Sequence, residues 1–528
     1  MKILLSWLND YGDFGDPTDP AAVDRVTDAL TALGLEVEGV DAVGDTVDGV
    51  VTARILRLES HPAAAKVQRA WVAAGDGDER HVWCGATNIA PDQIVPLATL
   101  GTTMPNGMTI ERRGILGIDS EGMLCSAQEL GLGDDHSGIR ILPDGTPLGV
   151  PYGEALGIEP DVLIEINATR NRPDAWGYVG VARDLAAKLD VEFRPPASDM
   201  SVTGDERSAP VEIVDGERCA RFTSTVISGV IDTESAEWMP RRLTAAGMRP
   251  ISNVVDVSNY VMLELNQPNH AYDLDTLGGG GFRVRRAAEG EQLVTLDETE
   301  RTFSTEDLLI CDANDVAIGL GGVMGGLDSE VTDSTTTVAL EMAWFAPVPI
   351  GQTVVRTGLR SEASQRFERG ADAHGMPAAI ARFVELLTET CPDLVVHAGA
   401  VDACSDSLPD EHRSCDVRLW NVNRILGTEL VAADLPPLLD PIGYTVSDER
   451  TEDTGEIVTV ALPSWRPDST GEIDVIEEIA RHHGYDRLGA TVPKPVDHGG
   501  LTARQMRRRD LRQVQLGLGL TEAMPTPY

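Results

Sequence analysis

Carboxylates are concentrated in Pro463–Arg481, PSWRPDSTGEIDVIEEIAR, where Asp468, Asp474, Glu477 and Glu478 gather around the start of one short helical pattern. Oxygen ligands at this density suit a hard divalent cation, Mg²⁺ or Ca²⁺. Like charges one turn apart repel by roughly 0.2–0.5 kcal/mol per pair, a cost the helix N-terminus offsets in part and a cation removes. Ser469 and Glu472 have capping-box spacing, which predicts a helix start there. Ile473, Ile476 and Ala480 then share one face, and Asp474, Glu477, Glu478 and Arg481 the other. The competing reading is a solvated acidic face in an acidic protein.

A second constellation lies in Arg249–Asp273, RPISNVVDVSNYVMLELNQPNHAYD. Its valines, Tyr260, Met262 and Leu263 are wall material, while Ser258, Asn259 and His270 add a hydroxyl, an amide and an imidazole to one cavity. A lone histidine beside NQPN also fits a hydrogen-bonded turn. Glu341 in ALEMAWF alternates with apolar neighbours, predicting a strand that points one carboxylate into an apolar environment. Gly319–Gly326, GLGGVMGG, spaces glycines so that backbone can approach a ligand closely, but it lacks the lysine and spacing of a phosphate-cradling loop.

The elements that must carry these groups follow from composition breaks. A helical pattern through Val23–Leu33 ends at Gly34, and another spans Tyr178–Leu189. Short strands with frequent Gly and Pro fill residues 40–149, as in a small barrel. Arg194-Pro195-Pro196-Ala197-Ser198 reads as a linker. A long mixed block, 200–400, precedes one that ends with the acidic helix, and Leu501–Leu518 is an Arg-rich helix. At 528 residues the chain is far too long for one core.

Acids outnumber bases, 85 to 43, for a net charge of -42, and of the bases only Lys2, Lys66, Lys188 and Lys494 are lysines. Such diffuse acidity argues against a polyanionic partner unless local arginine-bearing surfaces meet it, and it suggests a salt-adapted host. No run of eighteen apolar residues occurs, and MKILLSWLNDYGDFGD lacks a basic n-region, so a soluble, cytoplasmic protein with no membrane contact is expected. Seven cysteines, Cys84, Cys125, Cys219, Cys311, Cys391, Cys404 and Cys415, never fall as CxxC and support neither a disulfide framework nor a zinc site.

From Met1 to Tyr528 the chain resembles the beta subunit of bacterial-type phenylalanyl-tRNA synthetases. PSWRPD followed by ExDxxEExxRxxGYD is similar to the helix where that family has a magnesium site shared with the alpha subunit, which implies Asp468, Asp474, Glu477 and Glu478 as Mg²⁺ ligands. Arg249–Asp273 resembles the family's editing signature, and RSEASQRFERG, Arg360–Gly370, corresponds to its TEAS loop. Together these imply Ser258, Asn259, His270, Gly322, Glu341, Ser361 and Ala363 as the hydrolytic pocket. The family's threonines stand here as serines at 258 and 361. GILGIDSEGMLCSAQELGL, Gly114–Leu132, looks like a tRNA-binding barrel, with Lys66, Arg69, Asn88, Arg112 and Arg113 as its polar rim. Ala65 departs from the acidic residue common there.

The resemblance implies an α+β multidomain protein. Residues 1–39 plus 150–195 form an N-terminal module around an inserted oligonucleotide-binding barrel, 40–149. An editing module covers 200–400, a winged-helix-like module 405–490, and the beginning of a catalytic-like module 491–528. The family chain continues further, so this one is expected to be C-terminally incomplete. The whole enzyme, an alpha2-beta2 tetramer, joins phenylalanine to tRNA(Phe) using ATP on the alpha subunit; the beta chain is expected to supply assembly, tRNA contacts and removal of misattached tyrosine. A freestanding trans-editing deacylase and a non-enzymatic tRNA-binding scaffold are the rival readings.

Overall fold

The first strand, Lys2–Leu4, pairs with Asp161–Asn167, which also pairs with Glu36–Val43 in a three-stranded antiparallel sheet. This computed structural model describes residues 1–44, 47–61, 64–115, 118–131, 136–196, 200–231, 234–452, 455–490 and 499–526. Helix Pro20–Ala32 starts three residues earlier than its apolar pattern, because Asp19 accepts the Ala21 N–H and Pro20 fits the first helical position. With Tyr178–Leu189, which coincides with the expectation, it covers the sheet; Ile3, Ile164, Ile166, Val26, Leu30, Val181 and Leu185 share the core.

Between the second and third strands of that sheet in chain order lies an antiparallel five-stranded sheet. Its spatial order is Glu79–Cys84, Ala64–Ala73, Val50–His61, Ile94–Ala98, Met123–Leu124, over a core of Ile55, Ala70, Val72, Val82, Val95 and Leu97.

The largest apolar strands, Cys219–Ser228 and Thr337–Phe345, are antiparallel neighbours and nearly buried throughout. Asn269–Asp273 pairs with the outer side of Thr337–Phe345, in a register that sets His270 opposite Glu341. Helix Asn253–Leu265 packs beside this sheet. Its first turn is fixed by Asp256, which accepts the Ile251 N–H and the Ser235 hydroxyl, and it stops at Asn266, whose left-handed φ of 57° asparagine tolerates. A second sheet, ending in the hairpin Ala317–Leu320 and Met324–Gly325, closes the other side. Trp7 stacks on Tyr178 at 3.8 Å and on Tyr260 at 4.2 Å, joining the N-terminal sheet to this helix.

Arg413–Arg418, Gly455–Leu462 and Thr445–Glu452 form the last sheet, against which helix Glu472–His483 buries Val475, Ile476 and Ile479. Met1–Tyr485 is one compact unit and Asp486–Tyr528 a second. Within the second, helix Ala503–Gly517 starts at a Thr502–Gln505 capping box, close to the expected bounds. Among the described residues no helix is long and apolar enough to cross a membrane.

Candidate functional site

A cavity of about 780 Å³ brings together all seven expected pocket residues, Ser258, Asn259, His270, Gly322, Glu341, Ser361 and Ala363, from five separate stretches of chain. Opposed residues of an antiparallel pair project to the same face, so the register places the His270 and Glu341 side chains side by side. Glu341 is buried and His270 half-buried, among apolar walls that include Tyr272, Phe345 and Phe367. Burial alone pushes the Glu341 carboxyl up to about 8 and His270 down to about 4, so both are neutral between those values. Among the described residues neither has a partner: no hydrogen bond reaches the Glu341 carboxyl, and His270 Nε2 is buried without one.

The glycine hairpin explains how that imidazole fits. A Cβ on Gly325 would lie 2.7 Å from the His270 ring, and one on Gly322, at φ +68°, would lie 2.8 Å from Ile350 and 3.0 Å from Phe345. The two serines act as fasteners. Ser361 Oγ donates to the Val323 carbonyl at 2.5 Å and accepts the Ser364 N–H at 3.1 Å, tying helix Glu362–Phe367 to the hairpin; Ser258 Oγ donates to the Asn269 carbonyl at 3.1 Å. The Asn259 amide lines the cavity with no hydrogen bond among the described residues, and Arg249, exposed, also lines it.

The acidic helix is arranged differently from its sequence reading. The N-cap is Gly471, not Ser469, which is buried against the Tyr444 hydroxyl at 2.5 Å; Glu472 binds Arg418 instead of closing a capping box. The helix is also rotated from the expected orientation: Ile476 and Ala480 are buried as expected, but Ile473 is 59 % exposed, while Glu478 and Arg481 are buried. Arg466 donates to Asp468 at 2.7 Å and to Glu478 at 2.8 Å, and Arg481 donates to Glu478 and Asp184. These guanidiniums outweigh burial and hold Glu478 at about 2, whereas burial raises Asp468. Asp474 caps its own helix through the Thr470 and Gly471 N–H groups, and Glu477 is exposed, 3.3 Å from Asn171.

No three of the four expected ligands bring oxygens within 4.8 Å of one another. Among the described residues the group that does meet this spacing is Asp184, Glu478 and His482, and its two carboxylates are already claimed by Arg172, Arg466 and Arg481. As arranged, then, the four-carboxylate set does not fit Mg²⁺, since Arg466 sits where the cation's charge would be needed.

On the five-stranded sheet, Arg69 lies over Trp71 at 4.5 Å and Trp83 at 5.7 Å, and its Nε is buried without a partner. Arg112 is exposed, 3.3 Å from Glu121. Asn88 is used internally: its amide donates to the Ile139 carbonyl and accepts the Ile139 N–H, so it clamps a loop rather than presenting a free amide. Lys66 and Arg113 lie on strands, but their side chains fall outside the described residues. Arg57, 4.2 Å over Trp71, joins the same face. Arg57, Trp71, Trp83 and His81 were not among the sequence candidates, yet the period-two alternation of QRAWV and RHVWC places Trp71, Trp83 and His81 there, and Arg57 stands opposite Trp71.

Three family models match the chain: a B3/4 domain over residues 218–392, a tRNA synthetase B5 domain over 415–485, and a putative tRNA binding domain over 50–151. The chain is 44 % identical over 499 residues to a phenylalanine–tRNA ligase beta subunit of Anaeromyxobacter dehalogenans, covering 94 % of this chain and 60 % of the relative. It is 38 % identical over 540 residues to the one of Salinibacter ruber, covering 99 % of this chain and 63 % of the relative. It thus spans less than two thirds of the length of the curated relatives it matches. An N-terminal fragment of the phenylalanyl-tRNA synthetase beta subunit of Pyrococcus horikoshii aligns with 61 % of this chain and 87 % of its own at 15 % identity, with a TM-score of 0.33.

Proposed function

We propose that this chain, which belongs to the family of phenylalanine–tRNA ligase beta subunits, hydrolyses tyrosine from tRNA(Phe) in its 780 Å³ cavity. The observation that carries this is the pair of neutral groups without a hydrogen-bond partner among the described residues, the buried Glu341 and the half-buried His270, facing one cavity. A buried polar group without a partner costs about 1–3 kcal/mol, so a ligand that supplies the missing hydrogen bond recovers that energy. Below about pH 8 Glu341 is a neutral carboxyl that accepts a hydrogen bond from a phenol or donates one to it. Phenylalanine offers neither option. The difference amounts to about ten- to a hundredfold in selectivity, the kind of discrimination a synthetic pocket cannot make by size alone.

Hydrolysis needs a water oxygen to bond to the ester carbonyl carbon while the carbon–oxygen bond to the ribose breaks and the ribose oxygen gains a proton. We place the attacking water beside the His270 imidazole, which is neutral at physiological pH, and the ester against the Asn259 amide, which lines the cavity. With its pKa at about 4, His270 positions the water better than it retains a proton. Ser258 and Ser361 fix the walls.

The same reading makes residues 50–151 an oligonucleotide-binding barrel that contacts tRNA, the 415–485 region a winged-helix-like module, and the working assembly a cytoplasmic alpha2-beta2 tetramer whose ATP chemistry lies on the alpha subunit. For Mg²⁺ at Asp468, Asp474, Glu477 and Glu478 the arrangement supports less, since Arg466 neutralises two of the four. The relatives do not favour the rival readings of a freestanding deacylase or a scaffold. Ala363→Trp, which fills the cavity from a wall residue, is the test: tyrosyl-tRNA(Phe) deacylation should fall below detection while tRNA binding persists. A folded variant that deacylates at the parent rate places the chemistry elsewhere.

A further inference from the structure

Four arginines crowd together beside the cavity in a chain where acids outnumber bases two to one. Arg360 and Arg369 both contact Oε1 of Glu368, at 3.0 and 3.1 Å. Arg369 and Arg366 both lie over the Trp176 ring, at 4.1 and 5.7 Å, and Arg366 also donates to the Trp176 carbonyl. Arg170, exposed, approaches closely enough that it, Arg360 and Arg366 add to the lowering that burial imposes on the Arg369 guanidinium. Among the described residues only Glu362 and Glu368 form ion pairs with these arginines, and Arg170 has none.

The cluster also holds unspent donors. Arg366 Nε, Arg369 Nε and Trp176 Nε1 are all buried without a hydrogen-bond partner, and the Arg366 side chain is only 1 % exposed. Like-charged guanidiniums held side by side with idle N–H groups are the complement of an oxyanion. Several of them along one surface match a chain of phosphodiesters, which present paired oxygens at regular intervals. The location is also pertinent, because Ser361, Glu362, Ala363 and Phe367, on the same short stretch as Arg360, Arg366 and Arg369, line the cavity.

We propose that Arg170, Arg360 and Arg369, floored by Trp176, bind the phosphate backbone next to the 3′ end of the RNA whose terminal ester enters the cavity. This rests on the hydrolytic reading of that cavity, so the test separates the two. Two substrates are compared, tyrosyl-tRNA(Phe) and 2′(3′)-O-tyrosyladenosine, which carries the ester without phosphates. In the double variant Arg170→Gln/Arg360→Gln, kcat/KM on the tRNA relative to that on the nucleoside should fall about tenfold, mostly through KM, and the log–log salt slope for uncharged tRNA should drop by about 0.7–0.9 per lost contact. Arg207→Gln, an exposed arginine outside the cluster, serves as control and should leave both at the parent value.

Equal loss on both substrates would mean that the arginines only shape the cavity, and an unchanged slope would mean that the cluster meets something other than RNA; either overturns the proposal. A parent chain inert on both substrates removes the hydrolytic reading alone, because the salt slope on uncharged tRNA still decides the cluster.

Discussion

The cavity and the acidic helix both bury carboxylates, but they satisfy them in opposite ways. Glu341 and His270 are neutral and unpartnered in an apolar chamber, whereas Glu478 is ionised and gripped by Arg466 and Arg481. Unspent hydrogen-bonding capacity in a cavity is capacity reserved for something absent from the free chain; capacity exhausted by neighbours has already been committed to the fold. Of the two carboxylate constellations in the sequence, the isolated glutamate is therefore the better candidate for chemistry and the dense cluster the better candidate for architecture.

The sharpest way to break this contrast is to remove one carboxylate from each region. Glu478→Ala strands Arg466 and Arg481 as buried, uncompensated charges and should lower unfolding free energy by about 3–5 kcal/mol in denaturant titrations. A loss under 1 kcal/mol would show that the network is not structural. Glu341→Ala should instead leave stability close to the parent and slow hydrolysis of the tyrosyl ester by about ten- to a hundredfold, a cost of about 1–3 kcal/mol. Deacylation at the parent rate would take Glu341 out of the pocket.

The pH dependence of stability sharpens the comparison. Glu341, raised from 4.5 to about 8, contributes stability that is complete below pH 4.5 and is lost as pH rises to 8. His270, lowered from 6.5 to about 4, contributes stability present above pH 6.5 and lost as pH falls to 4. Their slopes oppose each other between 4.5 and 6.5, leaving a net decline from pH 6.5 to 8 of about 1.4 kcal/mol per unit. Denaturant midpoints between pH 6.5 and 8 should show that decline in the parent and a flat profile in Glu341→Gln; a decline that survives the substitution belongs to other groups. The smallest effect concerns metal. With Arg466 in place, the isolated chain should bind Mg²⁺ no more tightly than about 1 mM, and Asp474→Asn/Glu478→Gln should change calorimetric titrations little. Micromolar binding lost in the double variant would restore the cation reading of the helix.

What the sequence revealed of these two regions tracks how local the cause was. The alternation in ALEMAWF was enough to bury Glu341, and GLGGVMGG announced a close backbone approach, which turned out to be toward His270. The rotation of the acidic helix was not legible, because the partners that permit burial of Glu478 and Arg481 include Arg172 and Asp184, some 300 residues away. Without knowledge of those counterions, periodicity assigns any charge to solvent. The arginine cluster escaped for the same reason, being assembled from residue 170 and the 360–369 stretch. Asn88 shows a reverse error, since a polar residue in a loop looks available until the loop it clasps is seen.

The distance between those counterions has a bearing on how the chain is made. Asp184 leaves the ribosome 297 residues before Arg481, the cation it shares with Glu478. At about 5–20 residues per second that separation is roughly 15–60 s of synthesis. Throughout that interval helix Tyr178–Leu189 can be covered on its apolar side, but Asp184 waits for one of its cations, and burying it early would incur the desolvation penalty of an ion without its full complement of partners. Asp184 thus meets Arg172 early in synthesis but gains its second guanidinium only once residue 481 has been made.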